Sequence, residues 1–554
     1  MFLRHKTVRG HTYLQIVENR REGGKIRQRV LAGLGRLDRL QESGALEGLV
    51  RSAGRFSDSL LVLSAHRAGE IPSLRNRRIG AVQIFERLWT ESGCREVIQS
   101  RAGKRRFQFD LERAVFLSVL HRLLDPGSDR AAEKWKESYR IEGVEALELQ
   151  HLYRTMGWLG EPLVEAEQSG ATGFAPRCQK DPIEEELFAR RRDLFSSLDL
   201  VFFDTTSLYF QGRGGETIGR RGKSKDHRPD LPQMVVGVVI DRQGIPICCE
   251  LWPGHTTDVK TLIPVVDRLR QRFGIERICM VADRGMISRE VVRQLESSER
   301  RWDYILGARL RSVREVNREV LSRGGRYREV RPARQKSKDP APLKVKEVRI
   351  GEHRYIVCLN PEQARHDALT RAAILESLEQ QLKRGEKSLV GNKGYRRYLK
   401  TLSGGFVIDE QKVAQEARYD GKWVLLTSTE LAAEEVALRY KQLWMIEEVM
   451  RAVKSVLETR PIYHRRDETI RGHVFCSFLA LILRQQLEAR LQAAGEQLEW
   501  TDIARDLELL EEIEVDQRGR RFLLRTEARG VTGRVFQAVR VALPPTVRTA
   551  EMNA

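Results

Sequence analysis

The chain has 554 residues, with 97 Lys+Arg against 77 Asp+Glu, a formal net charge of +20 with His neutral. At about 100–200 residues per domain this is length for three or four domains, and 41% hydrophobic with 31% charged residues is a globular composition, not a disordered one. No run of about 18 uncharged apolar residues occurs, which excludes a membrane-spanning helix, and the first residues, MFLRHKTVRGHTYLQ, lack the apolar stretch of a signal peptide. The seven cysteines form no CxxC pair, which disfavours a zinc ribbon or a disulfide framework; the expected location is a reducing cytoplasm.

A surplus of positive charge speaks of partners rather than of fold. The basic residues come in clusters: Arg20, Arg21, Lys25, Arg27 and Arg29, then Arg213, Arg220, Arg221, Lys223 and Lys225, then Arg460, Arg465, Arg466 and Arg471. Clustering of this kind points to nucleic acid, where each neutralised phosphate releases counterions.

In chain order, residues 1–40 alternate as two arms, TYLQIVENRR and IRQRVLAGLG, around Gly23-Gly24, and predict a basic β-hairpin. Residues 41–165 are expected to be a helical DNA-binding region, since IGAVQIFERLWTESG and LERAVFLSVLHRLLDPGS carry apolar residues at three- and four-residue spacing. Residues 166–194 are expected to be a linker. Then follow LDLVFFD as a buried strand, MVVGVVIDRQGIPICCEL as a hairpin, and a helix over 258–272 capped by Thr257 or Asp258. RICMVAD is a strand, SREVVRQLESS a helix capped by Ser288, and WDYILGA a strand. Residues 310–430 predict a β-rich insertion interrupted by a charged helix. Residues 431–459 read as one long helix stopped before Pro461, with a further apolar helix at 472–493. The tail, 496–554, gives no clear pattern.

Three acids stand out. Asp204 ends the apolar run 200–203 and Asp283 ends 278–282. Strand ends are where α/β sheets present ligands. A carboxylate there costs solvation unless it is paired or bound to a cation. In the long helix, Tyr440, Glu447 and Lys454 follow at intervals of seven residues and so share one face, with Trp444 just off it in the core. Three converging carboxylates suit two-metal phosphoryl transfer, with hard oxygen ligands favouring Mg²⁺ or Mn²⁺. The expectation is that Asp204, Asp283 and Glu447 gather within metal-bridging reach while Glu448 points elsewhere. Thr205 and Thr206 are candidates to orient water, Arg284 to touch a phosphate, and Lys223, Lys225, His227 and Arg228 to line a DNA path. Trp302 and Trp423 are candidates to stack on an unpaired base.

At these residues the chain resembles the DDE transposases of bacterial insertion sequences. FFDTTS supplies the first Asp and VADRGM the second; Tyr440, Glu447 and Lys454 match the Tyr-x2-Arg-x3-Glu-x6-Lys signature, with Leu443 in the place of its Arg. DHRPDLPQMVVGVVID and LWPGHTTDVKTL resemble secondary motifs of a related branch. The resemblance implies an α/β, RNase H-like (retroviral integrase-like) mixed sheet with flanking helices. Its catalytic core would be split between 195–309 and 431–495 around the insertion. It implies two Mg²⁺ or Mn²⁺ ions held by Asp204, Asp283 and Glu447, with Tyr440 and Lys454 contacting DNA near the cut. It further implies double-stranded DNA partners (terminal inverted repeats and target), release of a 3′-OH and its joining to target, and a homodimer on paired ends, with no membrane role. The alternatives are an RNase H-like nuclease without strand transfer and a catalytically dead DNA-binding protein.

Overall fold

The computed structural model describes residues 2–22, 25–54, 58–169, 171, 175–191, 199–275, 278–297, 302–336, 339–384, 397–402, 405–517 and 519–549. The chain forms two compact units, Met1–Ala81 with Ser138–Arg140 and Leu498–Ala554, and Val82–Glu137 with Ile141–Gln497. Among the described residues no helix is long and apolar enough to cross a membrane.

The first unit opens with a three-stranded antiparallel sheet, Phe2–Val8, His11–Glu22 and Lys25–Arg36. The two-arm hairpin expected from sequence is thus corrected to three strands. The basic segment FLRHKTV hides its strand character. Its pairing is set by the ladder from Phe2↔Val17 to Val8↔His11, closed by a turn in which Arg9 and Gly10 both take positive φ. The Gly23-Gly24 turn lies outside the described residues. A second, four-stranded sheet joins Ser73–Arg78 to Glu511–Gln517, Arg520–Arg525 and Val547–Thr549. The strand Ser73–Arg78 corrects the helical expectation there, and the patternless tail supplies its partners. Their register opposes Arg78 to Glu511, Arg77 to Glu512 and Arg75 to Glu514, placing opposite charges across the strands, while Val62, Val515, Phe522 and Leu524 form the sheet's apolar core.

The second unit is built on a nine-stranded mixed sheet. In chain order its strands are β1 (Asp199–Tyr209), β2 (Gln233–Ile240), β3 (Pro246–Pro253), β4 (Ile278–Ala282), β5 (Asp303–Ala308), β6 (Arg328–Arg331), β7 (Leu343–Ile350), β8 (His353–Leu359) and β9 (Lys422–Thr427). Their spatial order is β6-β7-β8-β9-β5-β4-β1-β2-β3. β1, β2 and β3 are antiparallel, whereas β4 runs parallel to β1, and β5 runs parallel to β4. The β2–β3 turn is fixed by Asp241, whose Oδ1 accepts from Gln243 N and Ile245 N at 2.9 Å each, and by Gly244 at φ 82°. The strands of 310–430 continue this same sheet beyond β5.

One face of the sheet carries Val201, Phe203, Met280 and Ala282 into a core with Val265 and Leu269 of the helix Leu262–Phe273 and Phe188 of the helix Lys180–Arg191. The helix Trp444–Arg451 packs against β1 and β2, and Asp467–Ala493 against β3 and the helices Leu111–Leu124 and Leu149–Leu159. The sheet is therefore sandwiched, and residues alternate between its faces with period two. Asp204, one position beyond Phe203, faces away from that core.

Candidate active site

β1 and β4 pair in parallel with Phe203 opposite Ala282. β4 ends at Ala282, so Asp204 and Asp283 both follow the last paired position at the strand terminus, near enough for the Asp283 charge to act on Asp204. Asp204 itself is not at a strand end, contrary to the expectation. β1 continues to Tyr209 because Asp204–Tyr209 keep pairing with β2, Asp204 with Val238. Sequence hydropathy marked the end of the β4 partnership and not the end of the strand.

Around Asp204 lies a charged cluster. Thr205 N donates to Asp204 Oδ1 at 2.7 Å, and the buried Thr205 Oγ1 donates to Asp258 Oδ1 at 2.7 Å. Lys225 Nζ donates to Thr205 O and Oγ1 at 2.7 and 2.8 Å and lies 3.3 Å from Asp258 Oδ2. Burial pushes the Asp204 carboxyl up to about 6; Asp283 and Asp258 push the same way, while Lys225 and the Thr205 N–H hold it back. From sequence the helix cap is expected at Thr257 or at Asp258. Asp258 opens a 3₁₀ turn, Asp258–Lys260, and its carboxylate turns to Thr205 and Lys225 and lies beside Gly285. The stretch LWPGHTTDVKTL places this acid just before the helix, a position that does not distinguish a cap from a residue reaching back to a strand.

The helix expected over 431–459 is broken. Ala433–Lys441 and Trp444–Arg451 are separated at Gln442-Leu443 by i→i+3 bonds, Gln442 N to Arg439 O and Leu443 N to Tyr440 O, and Ala452–Val456 is a π-turn. Overwinding at one joint and underwinding at the next rotate the heptad positions away from a single face. Tyr440 Oη donates to Asp283 Oδ1 at 3.1 Å, and burial and the Asp283 charge raise its pKa. A side chain at Gly307 would collide with that hydroxyl, so a glycine there lets the ring lie over β5. Glu447 and Glu448 are both exposed. Lys454 Nζ pairs with Asp226 Oδ1 at 2.7 Å, and Arg460 Nη1 shares that oxygen at 2.8 Å. Trp444, expected in the core, is 58% exposed, while Leu443 takes the buried position. Among the described residues no three His, Cys, Asp or Glu side chains are close enough to hold one ion.

The remaining candidates are placed variously. Arg284 and Lys223 are exposed. Arg228 is clamped by Asp230 through Nε at 3.0 Å and Nη2 at 2.8 Å. His227 is exposed, and Thr206 is buried. Trp302 is buried in the core, and the half-buried Trp423 lies under Lys441 Nζ, 5.6 Å from its ring centroid. The donor set at the sheet, Asp204 and Asp283 with Asp258 adjoining, is all hard oxygen. Burial, with Asp283 and Asp258 adding to it, raises Asp204, and hard-oxygen donors of this kind suit a divalent cation.

Residues 196–483 match the family described as "Transposase DDE domain", and residues 3–65 match "IS1634 family transposase, N-terminal domain". The chain belongs to the DDE transposase family of bacterial insertion sequences: it is a DNA transposase. A comparison with curated proteins finds no match. Among solved structures it is similar to the piggyBac transposase of a cryo-EM synaptic complex with hairpin DNA, at 10% identity and TM-score 0.37, over 77% of this chain and 79% of that one.

Proposed function

We propose that the protein cleaves the ends of an insertion sequence and joins the freed 3′-OH to target DNA by two-metal-ion phosphoryl transfer. Asp204, Asp283 and Glu447 are the carboxylates in this reading. The observation that carries it is the β1–β4 register. Two acids far apart in the chain become neighbours at the end of β4, on the sheet face against which the Glu447 helix packs. The mixed sheet, with β1, β2 and β3 antiparallel and β4 and β5 parallel to β1, supports an RNase H-like core split between 195–309 and 431–495. When bound, Mg²⁺ or Mn²⁺ supplies Lewis-acid activation of the attacking and leaving oxygens. The chain's own residues do the positioning. Lys225 neutralises the acid cluster from one side, and Tyr440 orients Asp283 from the other. Lys454 and Arg460, tied to the buried Asp226, are held ready for a backbone phosphate. In this reading Glu447 closes on the two aspartates when DNA binds, by rotation at the Gln442-Leu443 turn. The resemblance to the family supports inverted repeats and target DNA as substrates and two copies acting on paired ends.

The test is cleavage of a terminal-repeat duplex in Mg²⁺. Asp204→Asn and Glu447→Gln should each lose cleavage by at least about 10³-fold, the scale of removing transition-state charge stabilisation, with duplex binding nearly intact. Retained cleavage by Asp204→Asn rejects the assignment. A pre-cut 3′-OH end offered with a target plasmid separates transposition from simple hydrolysis; absence of joined product favours the nuclease.

A further inference from the structure

A cleft of about 1400 Å³ opens in the second unit away from the sheet acids. It is larger than the roughly 300–1,000 Å³ of small-ligand sites, which favours a polymer as its occupant. Six arginines line it, Arg105, Arg106, Arg154, Arg460, Arg465 and Arg466, against four carboxylates. Arg105 is paired with Glu161 at 2.7 Å and Arg466 with Glu468 at 3.5 Å. Arg106, Arg154 and Arg465 are exposed and have no ion pair among the described residues. They come from three places: the loop before the helix Leu111–Leu124, the helix Leu149–Leu159, and the segment before Asp467–Ala493. Two aromatic rings stand in the same cleft and are open to solvent, Tyr463 at 65% and Tyr153 at 42%.

Arginines converging with solvent-facing rings call for an anion that also offers a flat apolar face. Duplex DNA hides its base faces by stacking; an unpaired strand exposes them, and stacking on aromatic rings is the sequence-tolerant way to hold one. The cleft is also joined to the acids by a chain of cations. Arg460 lines the cleft and pairs with Asp226; Asp226 pairs with Lys454; Lys454 feels the charge of Lys225; and Lys225 contacts Thr205 beside Asp204. We propose that this cleft binds a single DNA strand of several nucleotides, with phosphates on Arg106, Arg154 and Arg465 and a base stacked on Tyr463. It rests on the transposase reading only for the source of that strand, the one freed by cleavage.

The test uses the full chain carrying Asp204→Asn, in EDTA, so that cleavage plays no part. Fluorescence anisotropy compares a 15-nucleotide single strand with the duplex of the same sequence. Tyr463→Ala should weaken single-strand binding about tenfold and leave duplex binding within twofold, since a base–aromatic stack is worth about 1–3 kcal/mol. Tyr463→Phe should restore it, and Arg465→Ala should flatten the salt dependence of single-strand binding. A 2-aminopurine in the strand should lose its quenching in Tyr463→Ala. A selective loss of threefold or more supports the site. A smaller loss, or an equal loss for duplex, overturns it. Intact single-strand binding together with a wild-type protein that does not cleave would count against the carboxylate assignment and not against the cleft.

Discussion

Asp204 shows what a single position owes to its neighbours. As part of FFDTTS it is an acid closing an apolar run; in the fold it is a buried carboxyl held at 2.7 Å by the next residue's N–H and crowded by two other acids. Asp258 completes that environment. Asp258→Asn keeps an acceptor for Thr205 Oγ1 and removes the charge that faces Lys225. The freed lysine then turns toward Asp204 and competes with a cation there. The expected outcome is about a tenfold fall in cleavage at fixed Mg²⁺, recovered in part by raising Mg²⁺, with the unfolding midpoint nearly unchanged. Equal loss at all Mg²⁺ concentrations would falsify this role. Asp204 and Asp283 were visible as candidates because hydropathy stops abruptly at each. Asp258 was not, because an acid ahead of a helix has the same local pattern whether it caps the helix or reaches back to a strand.

At the level of elements, strands and helices with strong apolar periodicity were readable, and their joints were not. Ser288 caps its helix as expected, accepting from Val291 N at 3.1 Å. The break at Gln442-Leu443 leaves no mark in a run that is helical on both sides, since two i→i+3 bonds need no glycine or proline. A further hidden feature is the buried ion network that anchors the helix Lys180–Arg191 to Leu262–Phe273 and β3. Arg272, whose side chain is 1% exposed, meets Glu184 at 2.7 Å, Asp181 at 3.0 Å and Glu250 at 3.1 Å. Lys180 bonds Glu184 at 3.2 Å and Cys249 O at 2.8 Å, and Arg268 pairs with Glu250. Arg272→Met leaves three buried carboxylates short of a cation, and breaking such a set costs about 3–5 kcal/mol. Urea unfolding should show that loss, whereas a change below about 1 kcal/mol would show the network to be dispensable.

Across the whole molecule the charge surplus and the buried histidines set the response to acid. Burial, reinforced by the Arg122 charge, depresses His121 to about 4, and burial also lowers His464 and His473. Each is neutral in the fold but has an ordinary value near 6.5 when unfolded. Their contribution is therefore complete above about pH 6.5 and is lost as pH falls through the depressed values, about 4 for His121. For His121 the sum at stake is on the order of 3 kcal/mol. Thermal unfolding between pH 7 and 4 should show a steep fall that is shallower in His121→Gln; parallel curves for the two proteins would remove His121 from the account. On this scale the clusters of basic residues gave the partner in kind, DNA, and Arg460, Arg465 and Arg466 of the third cluster line the open cleft. Arg228 is neutralised by Asp230, while Arg106 and Arg154, which belong to no cluster read from sequence, face the open cleft.

By itself the sequence determined the partner class, the order of strands and helices through residues 199–308, and the place of Asp204 and Asp283 at the close of two apolar runs, since charge, period and abrupt changes of hydropathy are local properties of the chain. Only the tertiary structure decided that the strand Ser73–Arg78 pairs with Glu511–Gln517, that the strands of 310–430 extend the central sheet, that Asp258 joins Asp204, and that Glu447 faces solvent. Each of those depends on which distant segment supplies the missing hydrogen bonds or the opposing charge, and local pattern carries no record of that choice.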